Sequence, residues 1–129
     1  MNQMQALLND CLLRTKHVEH AAIINLKKGT VYASTFGFNL QPQSAVNLLY
    51  AFYKNLLQVR REGLYFKEKQ YRCVRADEYS IYTKKQDGGL VAVKTKLYIV
   101  VGTYSEGMYP SVCVEAVEKL GNHCICMSV

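Results

Sequence analysis

An α+β domain in three α/β/α layers about a central antiparallel sheet is the fold this sequence predicts, and three observations predict it. Apolar residues recur at helical spacing at both ends of the chain and once more between Pro42 and Phe52. Five short apolar runs separated by turn residues follow Gly63, the pattern of an antiparallel meander. Within that meander Leu97 to Val101 is apolar without a break, as in a central strand covered on both faces.

Met4, Leu7, Leu8, Cys11 and Leu12 recur at i, i+3, i+4, i+7 and i+8, which predicts an amphipathic helix over residues 3–14. "HAAIINL" and "TVYAS", joined by Lys27, Lys28 and Gly29, predict an antiparallel hairpin. Pro42 suits the first turn of a second helix, shorter than the terminal one and marked by Ala45, Leu48, Leu49 and Phe52. The strands "GLYF", "YRCVRA", "YSIYT", "LVAVKT" and "KLYIVVGTY" come next. Asp87-Gly88-Gly89 supplies the positive φ angles of a tight hairpin. After Pro110, Cys113, Ala116, Val117, Leu120 and Cys124 keep the helical period, with Glu115 and Glu118 facing outward. The two chain-end helices pair on one sheet face and the shorter helix covers the other. The 129 residues, without linker or repeat, read as one domain, 1–129.

Charge placement narrows the function. Between Lys54 and Lys96 stand eleven Lys/Arg against five Asp/Glu, while the remaining chain has five of each. The net +6 therefore sits in the middle third and favours an anionic partner. Strand alternation sends at least half of the tyrosines inward, so the tyrosine-rich strands are read as core rings interleaved with charges and no nucleic acid is expected. No apolar run reaches the roughly 20 residues of a membrane span. Five cysteines, odd in number and without a Cys-x-x-Cys pair, read as reduced thiols of a cytoplasmic protein, mostly filling core.

Catalytic arrangements are not found. His17 and His20 lie at a helix-to-strand junction with no glycine-framed Ser or Cys nearby, and Asp77 with Glu78 reads as a turn balancing Arg75. Gly88-Gly89 lacks phosphate-loop spacing. His123, Cys124 and Cys126 have no second cluster to complete a tetrahedron, so neither metal nor cofactor is expected. The reading is non-enzymatic.

"KKQDGGLVAVKT", "YIVVGTYSE" and "PSVCVEAVEKLGN", in that order, resemble the profilin signature. "HAAIINL" and "VYAS" resemble the family's first hairpin, and "GLYFKEKQY" its Gly-Leu-x-Leu-Gly-Gly-x-Lys-Tyr strand pair. The stretch from "NLLQVRREGLYF" to "YSIY" is most similar to the divergent testis-type branch. That resemblance implies a profilin-like fold, an association with the cytoskeleton and a role in male germ cells.

It also implies three binding faces. At the poly-proline cleft, Met4 and Leu7 occupy first-helix aromatic positions, Tyr32 replaces the hairpin Trp and His123 replaces a C-terminal Tyr, so poly-proline binding is expected to be weak or absent. On the actin face, Ser111, Val112 and Val114 replace the polar residues around Cys113, Lys67-Glu68 replaces a Gly-Gly turn and Gln70 replaces a lysine, so actin binding is expected to be weak or absent. The basic character persists in Lys67, Lys69, Arg72, Arg75, Lys84, Lys85, Lys94 and Lys96, the expected contacts for anionic phospholipids such as phosphoinositides and phosphatidic acid. The alternative is a profilin-like protein that binds actin monomers and regulates their polymerisation.

Overall fold

The structure, a computed structural model, describes residues 3–54 and 56–127, with side chains described for residues 4–54 and 56–122. Its elements are α1 (Gln3–Leu7), β1 (His20–Asn25), β2 (Thr30–Ser34), α2 (Pro42–Lys54), α3 (Leu56–Glu62), β3 (Leu64–Phe66), β4 (Lys69–Ala76), β5 (Ser80–Lys85), β6 (Gly88–Lys94), β7 (Tyr98–Ser105) and α4 (Pro110–Met127). The strands form one antiparallel sheet in the order β2-β1-β7-β6-β5-β4-β3. The meander β3 to β7 is sequential, and the first hairpin docks on it through β1 and β7.

Alternation along each strand feeds two cores. Ile24, Leu90 and Ile99 join Leu48, Phe52 and Val59 of α2 and α3 on one face. Their chain neighbours Ile23, Val91 and Val100 join Leu8, Leu12, Cys113, Val117 and Leu120 on the other, beneath the two chain ends. This double burial is why the strand sequences are apolar without a break. Each fully buried Ile, Leu or Val contributes about 1.5–3 kcal/mol relative to exposure.

Four local features depart from the sequence reading. Helix α1 continues as a π-helical segment, Leu8–Leu12, and a 3-10 turn, Leu13–Thr15. The wider π turn lines up Met4, Leu8 and Leu12, spaced by four and all buried, and rotates Cys11 out to solvent. Cys11 is therefore not core, whereas Cys113 is, and burial pushes its thiol up to about 12. Helix α3 was not anticipated. It is seven residues long and buries only Val59, too little for a period to show, and Gly63 at φ 89° ends it by donating to the Val59 carbonyl.

The third departure is in the β5–β6 hairpin. Lys85 pairs directly with Gly88, so Gln86 and Asp87 make the turn and both glycines already belong to β6. Gly89 serves close approach instead, because its α-carbon lies against the ring of Tyr104. Lastly, Glu118 faces the sheet, not solvent: its Oε1 accepts the hydroxyls of Ser80, at 3.0 Å, and Tyr82.

The β4–β5 turn follows the sequence reading. Asp77 pairs with Arg75 at 3.2 Å, and its Oδ1 accepts the N–H groups of Tyr79 and Ser80 at 2.9 and 2.8 Å. Its carboxyl is held below the ordinary value chiefly by the Tyr79 N–H; partial burial opposes this, and Ser80 and Arg75 add to it. A depressed folded pKa means the stabilisation is complete above the unfolded value, about 3.9, and disappears as pH falls through the folded value. Asp77→Ala is expected to lose about 1 kcal/mol at pH 7, with the gap to wild type closing below about pH 4. Urea melts at pH 7 and pH 3 measure both.

A second prediction concerns the β3–β4 turn, where Lys67 (φ 50°) and Glu68 (φ 66°) both hold left-handed conformations without being glycine. Each such residue costs about 1–2 kcal/mol, part of which glycine recovers after its larger unfolded-state entropy. Glu68→Gly is expected to stabilise the protein by about 0.5–1 kcal/mol, read as a higher urea midpoint at unchanged m.

Candidate anion-binding surface

The structure divides the eight basic residues expected to act together. Arg72 and Lys84 are directly opposed across β4 and β5, and Arg60 and Arg61 reach the same place from the last turn of α3. With Lys85 these five line a cavity of about 490 Å³ in which Glu62 is the one carboxylate. Like charges directly opposed on a sheet are unfavourable, and neither Arg72 nor Lys84 holds an ion pair among the described residues. Arg60 is oriented by its Nε, which donates to the Ala76 carbonyl at 2.8 Å.

Arg60 and Arg61 escaped sequence reasoning because the helix carrying them did. The signal was present in "RREG", two arginines followed by the glycine that ends a helix.

Two members of the expected set are already engaged by carboxylates. Lys85, half-buried, pairs with Asp87, and that hydrogen bond holds its ammonium above the ordinary lysine value. Arg75 is paired with Asp77 and lies 5.8 Å from the ring centroid of Tyr82. Strict alternation would put Arg75 on the opposite face from Arg72. A bulge between Cys73 and Arg75 restores both to one face.

The others lie elsewhere. Lys94 is on the α2 side of the sheet, with its ammonium 4.8 Å from the Tyr53 ring and 5.8 Å from that of Tyr79. Lys96 is exposed in the β6–β7 turn, and Lys67 and Lys69 border a smaller cavity of about 180 Å³ that shares Lys85 and Tyr71 with the first. The expectation of a single eight-residue patch is corrected to one basin and outliers, because Lys94 lies against α2, Lys96 sits in the β6–β7 turn, and Lys67 and Lys69 flank the β3–β4 turn.

The tyrosine reading also needs correction. Tyr32, Tyr50, Tyr53, Tyr65, Tyr79 and Tyr109 are exposed, because they sit on α2, on outer hairpin positions and in loops. Being scattered over those elements, they form no continuous stacking platform.

At the first-helix cleft positions, Met4 is buried and Leu7 half-buried in the core beneath the chain ends. Gln5 Nε2 ties α1 to β2 by donating to the Ser34 carbonyl at 2.6 Å. Tyr32 meets Tyr98, a ring absent from the sequence reading, edge-on at 5.7 Å. The side chain of His123 lies outside the described residues, as do those of Cys124 and Cys126.

The altered actin positions are not brought together in one cavity. Gln70 donates to the Glu62 carbonyl at 2.6 Å and lines the cavities beside α3. Val112 borders a groove between α4 and the first helix; Ser111 is exposed, and Val114 packs half-buried on the core. Among the described residues no His/Cys/Asp/Glu group has metal-site composition, and no helix is long and apolar enough to cross a membrane.

Comparison with known proteins agrees with this architecture. The sequence profile of the family described as Profilin matches residues 2–127. The chain is similar to Profilin-4 of Mus musculus, at 56% identity over 123 residues, 95% of each chain. It is similar in structure to Acanthamoeba castellanii profilin II, with TM-score 0.87 and 33% identity over 97% of this chain and 98% of that one. Mouse profilin IIa in complex with a double repeat from the FH1 domain of mDia1 shares the fold, at TM-score 0.80 but 15% identity over 99% and 100% of the two chains. A family profile spanning nearly the whole chain, and relatives well above 30% identity over almost all of it, place this chain in the profilin family.

Proposed function

We propose that this chain is a non-catalytic profilin that attaches to anionic phospholipids, phosphoinositides and phosphatidic acid, through the basin between α3, β4 and β5. It links the cytoplasmic face of a membrane to cytoskeletal organisation, and the likeness to Profilin-4 extends the proposal to male germ cells during spermiogenesis. The observation that carries the reading is the convergence of Arg60, Arg61, Arg72, Lys84 and Lys85 on one cavity with a single acidic wall residue. Near an anionic leaflet each cation contributes about 1 kcal/mol, so the four without a carboxylate partner among the described residues give roughly 4 kcal/mol, which suits reversible attachment without a lipid anchor.

Lys67, Lys69, Arg75, Lys94 and Lys96 are secondary contributors, for reasons of position. Poly-proline binding is weak or absent, because Tyr32 and Tyr98 stand edge to face and offer no parallel aromatic walls for proline rings. Actin binding is weak or absent, because the valines at 112 and 114 leave polar groups of a partner unmatched, at roughly 1–3 kcal/mol each.

Family membership favours the alternative: profilins are non-enzymatic actin-binding proteins, and the mouse profilin IIa neighbour is a complex with an FH1 repeat. A direct comparison separates the readings. Co-sedimentation with vesicles containing phosphoinositide or phosphatidic acid is expected to be saturable and to weaken with salt, whereas pyrene-labelled actin monomers and a proline decamer are expected to give little response. Sequestration of actin at ordinary profilin concentrations, with vesicle binding absent, would establish the alternative.

A further inference from the structure

Helix α2 is apolar on two faces. Ala45, Leu48, Ala51 and Phe52 are buried against the sheet, as the inner stripe of an amphipathic helix requires. On the outer side Val46, Tyr50 and Tyr53 follow at i, i+4 and i+7, and Leu57, in the first turn of α3, continues the spacing. These four side chains are between 46% and 61% exposed, where the outer face of a surface helix is ordinarily polar. Single exposed apolar residues are commonplace on a protein surface, but a row of them along one helix marks an interaction surface.

The borders of the row are cationic. No Asp or Glu occurs from Pro42 to Arg61, whereas Lys54 stands exposed at the end of α2. Lys94 reaches the row from β6, its ammonium 4.8 Å from the Tyr53 ring and 5.8 Å from that of the exposed Tyr79. Neither lysine holds an ion pair among the described residues. Tyr50 also walls a cavity of about 520 Å³ with Gln58, Leu64 and Tyr65, in which Glu62 is the one charged residue. A pocket opening beside exposed aromatic rings is where a protein contact buries its anchor side chain.

We propose that this row docks an amphipathic helix of a partner protein, apolar on the face laid along α2, acidic on its margins, and with one large side chain entering the cavity beside Tyr50. Charge complementarity selects that occupant. A second copy of this chain joined face to face would set Lys54 against like charge, with no carboxylate between Pro42 and Arg61 to receive it. A helix that lies in a leaflet presents an apolar face about 100° wide or wider, whereas Val46, Tyr50 and Tyr53 cover about 60°. Tyrosine suits a protein contact, where its ring packs and its hydroxyl stays polar. None of the four row residues lines the basin, so the proposal stands apart from the membrane reading.

The probe is a synthetic helical peptide of about 18 residues, with leucines at i, i+3, i+4 and i+7 and glutamates on both margins, titrated into the isotope-labelled full chain. Saturable binding is expected, with amide shifts concentrated on α2 and α3, and a peptide carrying Lys in place of every Glu is expected not to bind. Tyr50→Ser with Leu57→Ser, and separately Lys54→Glu with Lys94→Glu, are each expected to weaken the acidic peptide by about tenfold or more at an unchanged backbone spectrum. The Tyr50→Ser and Leu57→Ser variant is expected to keep vesicle affinity within about threefold of wild type. Absence of saturable binding, shifts centred on another face, equal binding of the basic peptide, or indifference to either pair of substitutions overturns the proposal. Vesicle affinity that falls with Tyr50→Ser and Leu57→Ser overturns it too, by assigning the row to a leaflet.

Discussion

Arg72→Glu combined with Lys84→Glu is expected to lower vesicle affinity by about a thousandfold. The two reversals change the basin's charge by four units, at about 1 kcal/mol each near an anionic leaflet, and every 1.4 kcal/mol is tenfold. Arg72→Glu alone changes it by two units and is expected to cost about thirtyfold. The single variant also separates binding from folding. Because Arg72 and Lys84 are directly opposed, one reversal replaces a repulsive cross-strand pair with an attractive one, and the protein should become slightly more stable, by about 0.2–1 kcal/mol. Reduced vesicle binding by a variant at least as stable as wild type cannot be put down to unfolding. Vesicle affinity within threefold of wild type for the double variant, in low salt, would remove the basin from the account.

Gly89→Ala is expected to be the most damaging of the substitutions considered. A Cβ there would fall on the ring of Tyr104 and 2.5 Å from the Thr83 carbonyl oxygen. The ring is buried and the carbonyl is backbone of the neighbouring strand, so neither can retreat without breaking the β5–β6 or β6–β7 pairing. Overpacking of this kind costs about 3 kcal/mol, or roughly 12 °C in Tm for a chain of this size. Thermal and urea melts of the purified variant give the measurement, and a loss below about 1 kcal/mol would mean that the strands part more easily than their register implies.

Periodicity made much of this fold legible. Ile23 and Ile24, Val91 and Ala92, and Ile99 and Val100 each send adjacent side chains into different cores, and an unbroken apolar run is the trace that double cover leaves in a sequence. Helices α2 and α4 were legible because each buries a full stripe. Helix α3 was not, because a seven-residue helix with one buried residue has no period to detect. The candidate basin shared that blindness: Arg72, Lys84 and Lys85 could be named from the strands, but Arg60 and Arg61 could be joined to them only by packing.

By itself the sequence determined the family, the order of the strands and of the helices other than α3, and the excess of positive charge in the middle third, because these depend on residue type and spacing along the chain. Tertiary structure alone decided which cations share a cavity, that a bulge returns Arg75 to the face of Arg72, that Glu118 turns toward Ser80 and Tyr82, and that His20 and Lys67 meet across Phe38. The physical reason is range. Spacing specifies the side on which a residue leaves its own strand or helix, whereas the partners it meets there come from elements tens of residues away, placed by the closure of two cores around one sheet.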